Sequence, residues 1–197
     1  MGKTECILVG HDWGGSVGYG FCSTYPEMVK CYIACNIPHP NSVRELQQNS
    51  IKQKLMSWYM LFFQCPVIPE FFFAHDDYQI LENIIKEMKS SNITELAEAY
   101  KYAFRDPEAV TASINYYRCA FQYPESSRAL QKPVNVPVKQ IFGTGDKYLS
   151  MESARGTKKF VKNLEETYID GVGHWVQMEA ANKVNQAIEN YLSKMKI

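Results

Sequence analysis

The feature that most limits what this chain can become is a short apolar run, Cys6-Ile7-Leu8-Val9, followed at once by Gly10-His11-Asp12-Trp13-Gly14-Gly15. An apolar run that gives way to small residues around one reactive side chain reads as a strand, a very sharp turn and the start of a helix. Glycines before and after the turn let the backbone double back without a Cβ clash, so the central side chain stands alone above the sheet. The same residues also read as a glycine-rich loop after any buried strand, with Asp12 as a helix N-cap, and the remainder of the chain has to decide between the two.

Taken in order, the helix launched at Gly14-Gly15 runs to about Tyr25, where Pro26 ends its register. Val29 to Cys35 reads as the next buried strand, and Asn36-Ile37-Pro38-His39-Pro40 as a rigid, proline-fixed exit. From there to about Lys132 the strand signal disappears. Strand character returns at Val138 to Phe142, closed by the loop Gly143-Thr144-Gly145-Asp146, and again at Thr167 to Ile169, followed by Asp170-Gly171-Val172-Gly173-His174-Trp175. A last helix carries Val184, Ile188, Tyr191, Leu192 and Met195 on one stripe. This predicts an α/β chain with a core in 1–40 and 133–197 and a helical, aromatic insertion over 41–132.

Within the insertion, Met56 to Ala74 is apolar enough to suggest a membrane span, but Gln64, Pro66, Pro69 and Glu70 spoil a continuous apolar helix. An aromatic lid over a pocket is the better reading. One helix is expected from about Thr94, with Leu96, Tyr100 and Phe104 along one side; another starts at Asp106-Pro107-Glu108, with an N-cap, a proline at the first helical position and an early acid.

Bulk charge narrows the partners. Twenty-one basic and twenty-one acidic residues cancel, so nothing points to nucleic acid or to an anionic membrane, and a small neutral molecule is the expected ligand. At 197 residues and 46% hydrophobic, the chain can bury one sizeable core. Its six cysteines include no C-x-x-C pair and several fall in apolar runs, as small core residues do in a reducing compartment.

Among residues placed just after strands, the order is Asp12, Asp146, His174, the nucleophile, acid, base order of α/β-hydrolases. The commoner elbow carries serine. A carboxylate in its place suits attack at a saturated carbon, as in opening an epoxide or displacing a halide, and leaves an alkyl ester on Asp12. A water must then be deprotonated to cleave that ester, and imidazole is the side chain whose ordinary pKa suits this near neutral pH. Asp146 would hold His174 in the right tautomer. Taken alone, Asp146 could equally be a turn former, and Asp170 competes with it by proximity in sequence. His11 is read as orienting the elbow, and His39 and His75 as structural.

On the helix from Pro107, Val110, Ile114, Tyr117 and Phe121 form the apolar stripe, which turns Tyr117 inward and Tyr116 and Arg118 aside. By the same spacing Leu55, Tyr59 and Phe62 share a face. A phenol in a dry pocket can protonate the oxygen of an opening ring. Spacing alone, however, leaves inward tyrosines as core filler.

Gly10-His11-Asp12-Trp13-Gly14-Gly15, Asn36-Ile37-Pro38-His39-Pro40, Ile114-Asn115-Tyr116-Tyr117-Arg118 and Gly173-His174-Trp175-Val176-Gln177 resemble the α/β-hydrolase epoxide hydrolases, most closely the animal epoxide hydrolase 3 and 4 subgroup. The likeness runs through essentially the whole chain. It implies Asp12 as nucleophile, Tyr59 and Tyr117 as lid acids, Asp146 as orienting acid, His174 as base, and the backbone N–H of Trp13 as an oxyanion donor. The implied reaction is hydrolysis of an epoxide to a vicinal diol without cofactor or metal, with an apolar epoxide and water as the partners. An aromatic lid suits a lipid epoxide, and such lids also serve small xenobiotics. A haloalkane dehalogenase would use the same Asp12 and His174, with Trp13 cradling the halide, but has no need of the two tyrosines.

One departure stands out. The resembled family has several strands before its elbow strand, and a loop there that supplies part of the oxyanion hole; neither is present in this sequence. The expectation is therefore the C-terminal part of a larger α/β-hydrolase, N-terminally truncated, with an unpaired strand edge. As a fragment it would be weakly active or non-catalytic, lacking one oxyanion donor. Any membrane association would come only through a missing N-terminal anchor, and the expected location is the cytoplasm or the cytosolic face of the endoplasmic reticulum membrane.

Overall fold

The computed structural model describes residues 4–88, 92–123 and 130–196. The chain divides into two compact units, Met1–Met56 with Ser127–Ile197, and Ser57–Ser126.

The first unit is built on a four-stranded sheet of β1 (Cys6–His11), β2 (Val29–Cys35), β3 (Val138–Gly143) and β4 (Leu164–Ile169), all parallel and in the order β1-β2-β3-β4. Parallel neighbours need crossovers, and the β1–β2 crossover is α1 (Asp12–Thr24). Alternate residues of β2 face opposite ways. Tyr32 and Ala34 pack with Tyr19 and Cys22 of α1 and with Val134 and Val138; Ile33 and Cys35 pack with Ile141, Ile169 and, from α11 (Ala181–Met195), Val184. A sheet covered on both faces explains why β2 is buried except at Lys30 and β3 is buried throughout.

Burial of β3 includes two polar residues, one paired by register and the other bonded to a neighbour through its amide N–H. Lys139 lies directly opposite Glu165 of β4, and its Nζ sits 2.6 Å from that carboxylate. Gln140 donates to the carbonyl of Ala154 in α9 (Met151–Gly156). At the other side of the sheet β1 is an edge strand among the described residues, with Val9 57% exposed.

The helices α2 (Pro40–Asn49) and α3 (Ile51–Met56) also belong to the first unit, although the sequence reading assigned them to the insertion. The reason is polar. Ser42 donates to Ser153 of α9, and the buried Gln53 of α3 donates to the Tyr148 carbonyl and accepts from the Ser150 N–H.

The second unit comprises α4 (Trp58–Phe62), α5 (Ile68–Ala74), α6 (Gln79–Lys86), α7 (Ile93–Phe104) and α8 (Pro107–Gln122). Asp106 caps α8 as expected, accepting the Glu108 N–H at 2.9 Å. One core cluster of this unit is Phe63, Val110 and Ile114, with Tyr59, Phe62, Phe73, Tyr78, Phe104 and Tyr117 packed around them; Leu81 and Ile85 of α6 and Ala97 of α7 are buried as well. Arg118 ties the unit together: its guanidinium pairs with Glu70 of α5 and donates to the carbonyls of Phe63 and Cys65. Among the described residues no helix is long and apolar enough to cross a membrane.

Two helical faces differ from the spacing argument. The chain breaks between α3 and α4 at Ser57, so Leu55, 68% exposed, does not share a face with Tyr59. On α8, Phe121 is 48% exposed, one turn beyond the buried stretch, while Val110 and Ile114 are buried and Tyr117 is half-buried.

Candidate active site

The elbow forms where β1 hands over to α1. Asp12, the first residue of the helix, has φ +49°, in the left-handed region that non-glycine residues adopt only when their surroundings compel it. Two glycines do the compelling. A Cβ on Gly10 would lie 2.7 Å from the Cα of Gly15, and a Cβ on Gly15 would run into the side chain of Ile37. The turn therefore closes only with glycine at both positions, and the Asp12 carboxylate is raised above the sheet, 37% exposed.

His174 arrives on the loop between β4 and α10 (Val176–Glu179), and Asp146 on the loop after β3. His174 Nε2 lies 3.3 Å from Asp12 Oδ1, and its Nδ1 lies 2.8 Å from Asp146 Oδ2. The three side chains chosen from strand-end order thus meet in one row. Asp146 is also held from its other oxygen, Oδ1, which accepts the N–H groups of Tyr148 and Leu149 at 2.7 and 3.0 Å. Its competitor Asp170 is exposed and accepts from the Thr144 hydroxyl, a turn role.

The electrostatics follow from one buried imidazole between two carboxylates. Burial alone would push His174 towards its neutral form, but hydrogen bonds and charge from Asp12 and Asp146 outweigh it and raise its pKa well above the ordinary value. Burial would likewise lift Asp12, yet the His174 hydrogen bond and charge, with the backbone N–H of Trp13 and the charge of His11, hold that carboxyl below its usual range. Both shifts run the same way, each partner favouring the charged form of the other.

The neighbours of this row fix its position. His11 donates from Nε2 to the carbonyl of His174 at 2.9 Å, and its ring lies 4.9 Å from the His174 ring, so it steadies the base loop as well as the elbow. Tyr148 and Trp175 flank the imidazole edge-on, at 5.1 and 5.2 Å. Two polar residues that sequence reading passed over also bear on it. Glu179 accepts the N–H of Gly173 at 3.0 Å, and the fully buried Asn36 bonds to Asp146, Gly143 and Gly173 at once. The one sequence signal for Asn36 was an amide residue directly after a buried strand. His39, by contrast, is wholly buried and stacks on Phe160 at 4.8 Å; burial pushes its pKa down to about 4, so it is a neutral structural ring.

In the second unit Tyr59 and Tyr117 come together edge to face, ring centres 5.7 Å apart, and both contact Phe63. The two rings come from different helices, α4 and α8.

Among the described residues no group of three or more His, Cys, Asp or Glu gathers as a metal site. The family model described as alpha/beta hydrolase fold matches residues 1–181. The chain belongs to that family. Its similarity to individual α/β hydrolases is extensive: it is 34% identical to epoxide hydrolase 4 of Homo sapiens over 98% of this chain and 55% of the relative. It is 36% identical to epoxide hydrolase 1 of Caenorhabditis elegans over 98% of this chain and 49% of that one. The chain thus spans about half the length of these curated relatives. Among solved α/β hydrolases, an epoxide hydrolase from Bacillus megaterium superposes with a TM-score of 0.83 at 26% identity, covering 98% of this chain and 70% of that one. A putative acyltransferase from Salmonella enterica superposes with a TM-score of 0.85 at 21% identity, a likeness of fold alone.

Proposed function

We propose that the protein hydrolyses epoxides to vicinal diols through an ester on Asp12. The observation that carries the reading is a carboxylate, in place of a hydroxyl, at the tip of the elbow, within 3.3 Å of His174 Nε2. Hydrolases of ordinary esters need a nucleophile that leaves again as an alkoxide; a carboxylate is the group suited to displacing oxygen from a saturated carbon. The names of the relatives point the same way.

In the first step an Asp12 oxygen attacks a ring carbon, the carbon–oxygen bond breaks, and the ring oxygen takes a proton. That proton is assigned to the phenols of Tyr59 and Tyr117. Their edge-to-face pairing within the second unit and the family resemblance support this, and such an acid contributes a factor of roughly 10² to 10⁴.

Esterification then changes the base. Once Asp12 is an uncharged ester, His174 loses one of the two anions that hold its proton, and its pKa falls. That proton passes through solvent to the phenolate left by the first step, and the neutral imidazole then takes one from water as the water attacks the carbonyl carbon of the ester. As the ester bond breaks, the departing alkoxide takes that proton from His174 and leaves as the diol; Asp12, freed as a carboxylic acid, gives its proton to His174 and is ionised again. Asp146 stays hydrogen-bonded to Nδ1 and stabilises the imidazolium as it forms. The base therefore becomes competent only after the nucleophile has reacted, which suits a two-step reaction with one histidine. The Trp13 N–H, which bonds the Asp12 carboxylate at rest, is assigned as one donor to the oxyanion of the second step.

The test is to present the protein with an apolar epoxide and, separately, with a bromoalkane. Diol release from the epoxide is expected. Bromide release without diol formation would replace this reading with haloalkane dehalogenation.

A further inference from the structure

The expected catalytic row leaves one buried polar residue unexplained. Asn36 is the first residue after β2, wholly buried, with φ +40°. Its side-chain amide is used at every hydrogen: Nδ2 donates to Asp146 Oδ2 at 2.8 Å and to the Gly173 carbonyl at 3.1 Å. Its Oδ1 accepts the N–H of Gly143 at 2.8 Å. One side chain therefore joins the end of β2 to the end of β3, to the acid and to the loop that carries the base. The donors and acceptors around it fix which way the amide points, because turning it over would set oxygen against oxygen and N–H against N–H.

We propose that Asn36 is a positioning residue for Asp146, anchoring the same carboxylate oxygen that receives His174 Nδ1 so that the acid has a single orientation towards the base. The geometry is specific. With Asn36 in place, Asp146 accepts from four donors: Tyr148 and Leu149 on Oδ1, and His174 and Asn36 on Oδ2. Three of those are independent of His174, so the carboxylate keeps its place while the imidazole changes its protonation state. A carboxylate that had only His174 on Oδ2 could rotate to follow it. Asparagine suits the position twice over, since it supplies two donors and one acceptor and tolerates the left-handed backbone.

The charged and titratable groups facing His174 are Asp12 on α1, His11 at the end of β1, and Asp146 and Tyr148 on the loop after β3. Glu179 of α10 holds the adjacent Gly173 N–H. Asn36 is the neutral member of this shell, which makes its isostere informative. Asn36→Asp keeps an acceptor for Gly143 and the same backbone tolerance, and donates to Asp146 only when its own carboxyl is protonated.

The experiment is to record the Nδ1–H proton resonance of His174 by NMR in the protein, in Asn36→Ala and in Asn36→Asp, across pH. In Asn36→Ala the resonance is expected to shift upfield and broaden. In Asn36→Asp it is expected to match the parent at low pH and to depart from it as the new carboxylate ionises. A resonance unchanged in both variants, with only a lower melting temperature, overturns the proposal and leaves Asn36 a structural strap. A second arm rests on the epoxide-hydrolase reading: in single-turnover assays Asn36→Ala should slow ester hydrolysis roughly tenfold, the effect of one hydrogen bond to a charged group, with ester formation little changed. Equal slowing of both steps argues against positioning of the acid. Because the resonance needs no substrate, absence of epoxide turnover would sink the functional reading and still leave the placement of Asp146 by Asn36 open to confirmation or refutation.

Discussion

The two units hold their candidate site residues in different ways. In the first, Asp12, Asp146 and His174 are fixed by directional bonds between strand ends: two imidazole contacts, two backbone N–H groups on Asp146, and the Asn36 amide. In the second, Tyr59 and Tyr117 are fixed mainly by ring packing against Phe63 and each other, with one guanidinium bracing the loop between α4 and α5. Hydrogen bonds specify an angle to within a few tens of degrees, whereas aromatic packing is tolerant of small rotations. The first unit thus holds charge at one point, and the second holds its two phenols in an aromatic cluster that tolerates small rotations.

The sharpest way to break this comparison is to remove the point charge. Asp12→Ala is expected to abolish diol formation, by roughly 10⁴-fold or more, since no other side chain in the row can form the ester. Mass spectrometry should show the alkyl adduct in the parent and none in the variant. Retention of turnover would mean that the row is structural and that chemistry lies elsewhere.

Next in size is the removal of one hydroxyl from the aromatic pair. Tyr117→Phe should slow ester formation about 100-fold and leave ester hydrolysis nearly unchanged, because only the first step needs an acid for the ring oxygen. Pre-steady-state measurement of the two steps checks it, and equal slowing of both would remove Tyr117 from the acid role.

The brace in the second unit gives a smaller, purely structural contrast. Arg118→Met leaves Glu70 without its partner and two loop carbonyls without their donor, and should destabilise this unit by roughly 2–3 kcal/mol. Hydrogen exchange would show faster opening over 57–123, with β2 and β3 keeping their protection. Loss of protection in β2 and β3 as well would mean that the two units unfold together.

What was legible in the sequence divides along the same line. Strand ends, glycines and chemistry-bearing residues in the first unit could be read directly, because an elbow and a strand-end acid or base each leave a short, local signature: β2 was read at its observed limits and β3 to within one residue. Helical spacing in the insertion carried less. It turned Tyr117 inward correctly, but it could not see the break at Ser57 that leaves Leu55 exposed, nor that α8 outruns its buried face before Phe121. Periodicity assumes one unbroken helix with one buried side. Asn36 escaped for a different reason. Its importance lies in three partners from 107 to 137 residues away, and no local pattern announces that. The buried Lys139 was equally silent, since its partner is supplied by strand register.

The smallest effect sharpens the reading of the elbow itself. Gly10, Gly14 and Gly15 look equivalent in the sequence, but the structure separates them, for a Cβ on Gly14 would meet nothing within 4 Å while one on Gly15 would strike Ile37. Gly14 lies inside α1, where glycine is a poor helix former. Gly14→Ala should therefore stabilise the protein by about 0.5–1 kcal/mol by narrowing the unfolded ensemble, with the Asp12 turn undisturbed. Gly15→Ala should instead cost roughly 1–3 kcal/mol, because the helix must move off Ile37 and takes the nucleophile with it. Thermal melts of the two variants decide the matter: similar losses in both would mean that the turn needs glycine for its backbone freedom throughout, and that close approach at Gly15 is not what sets the position of Asp12.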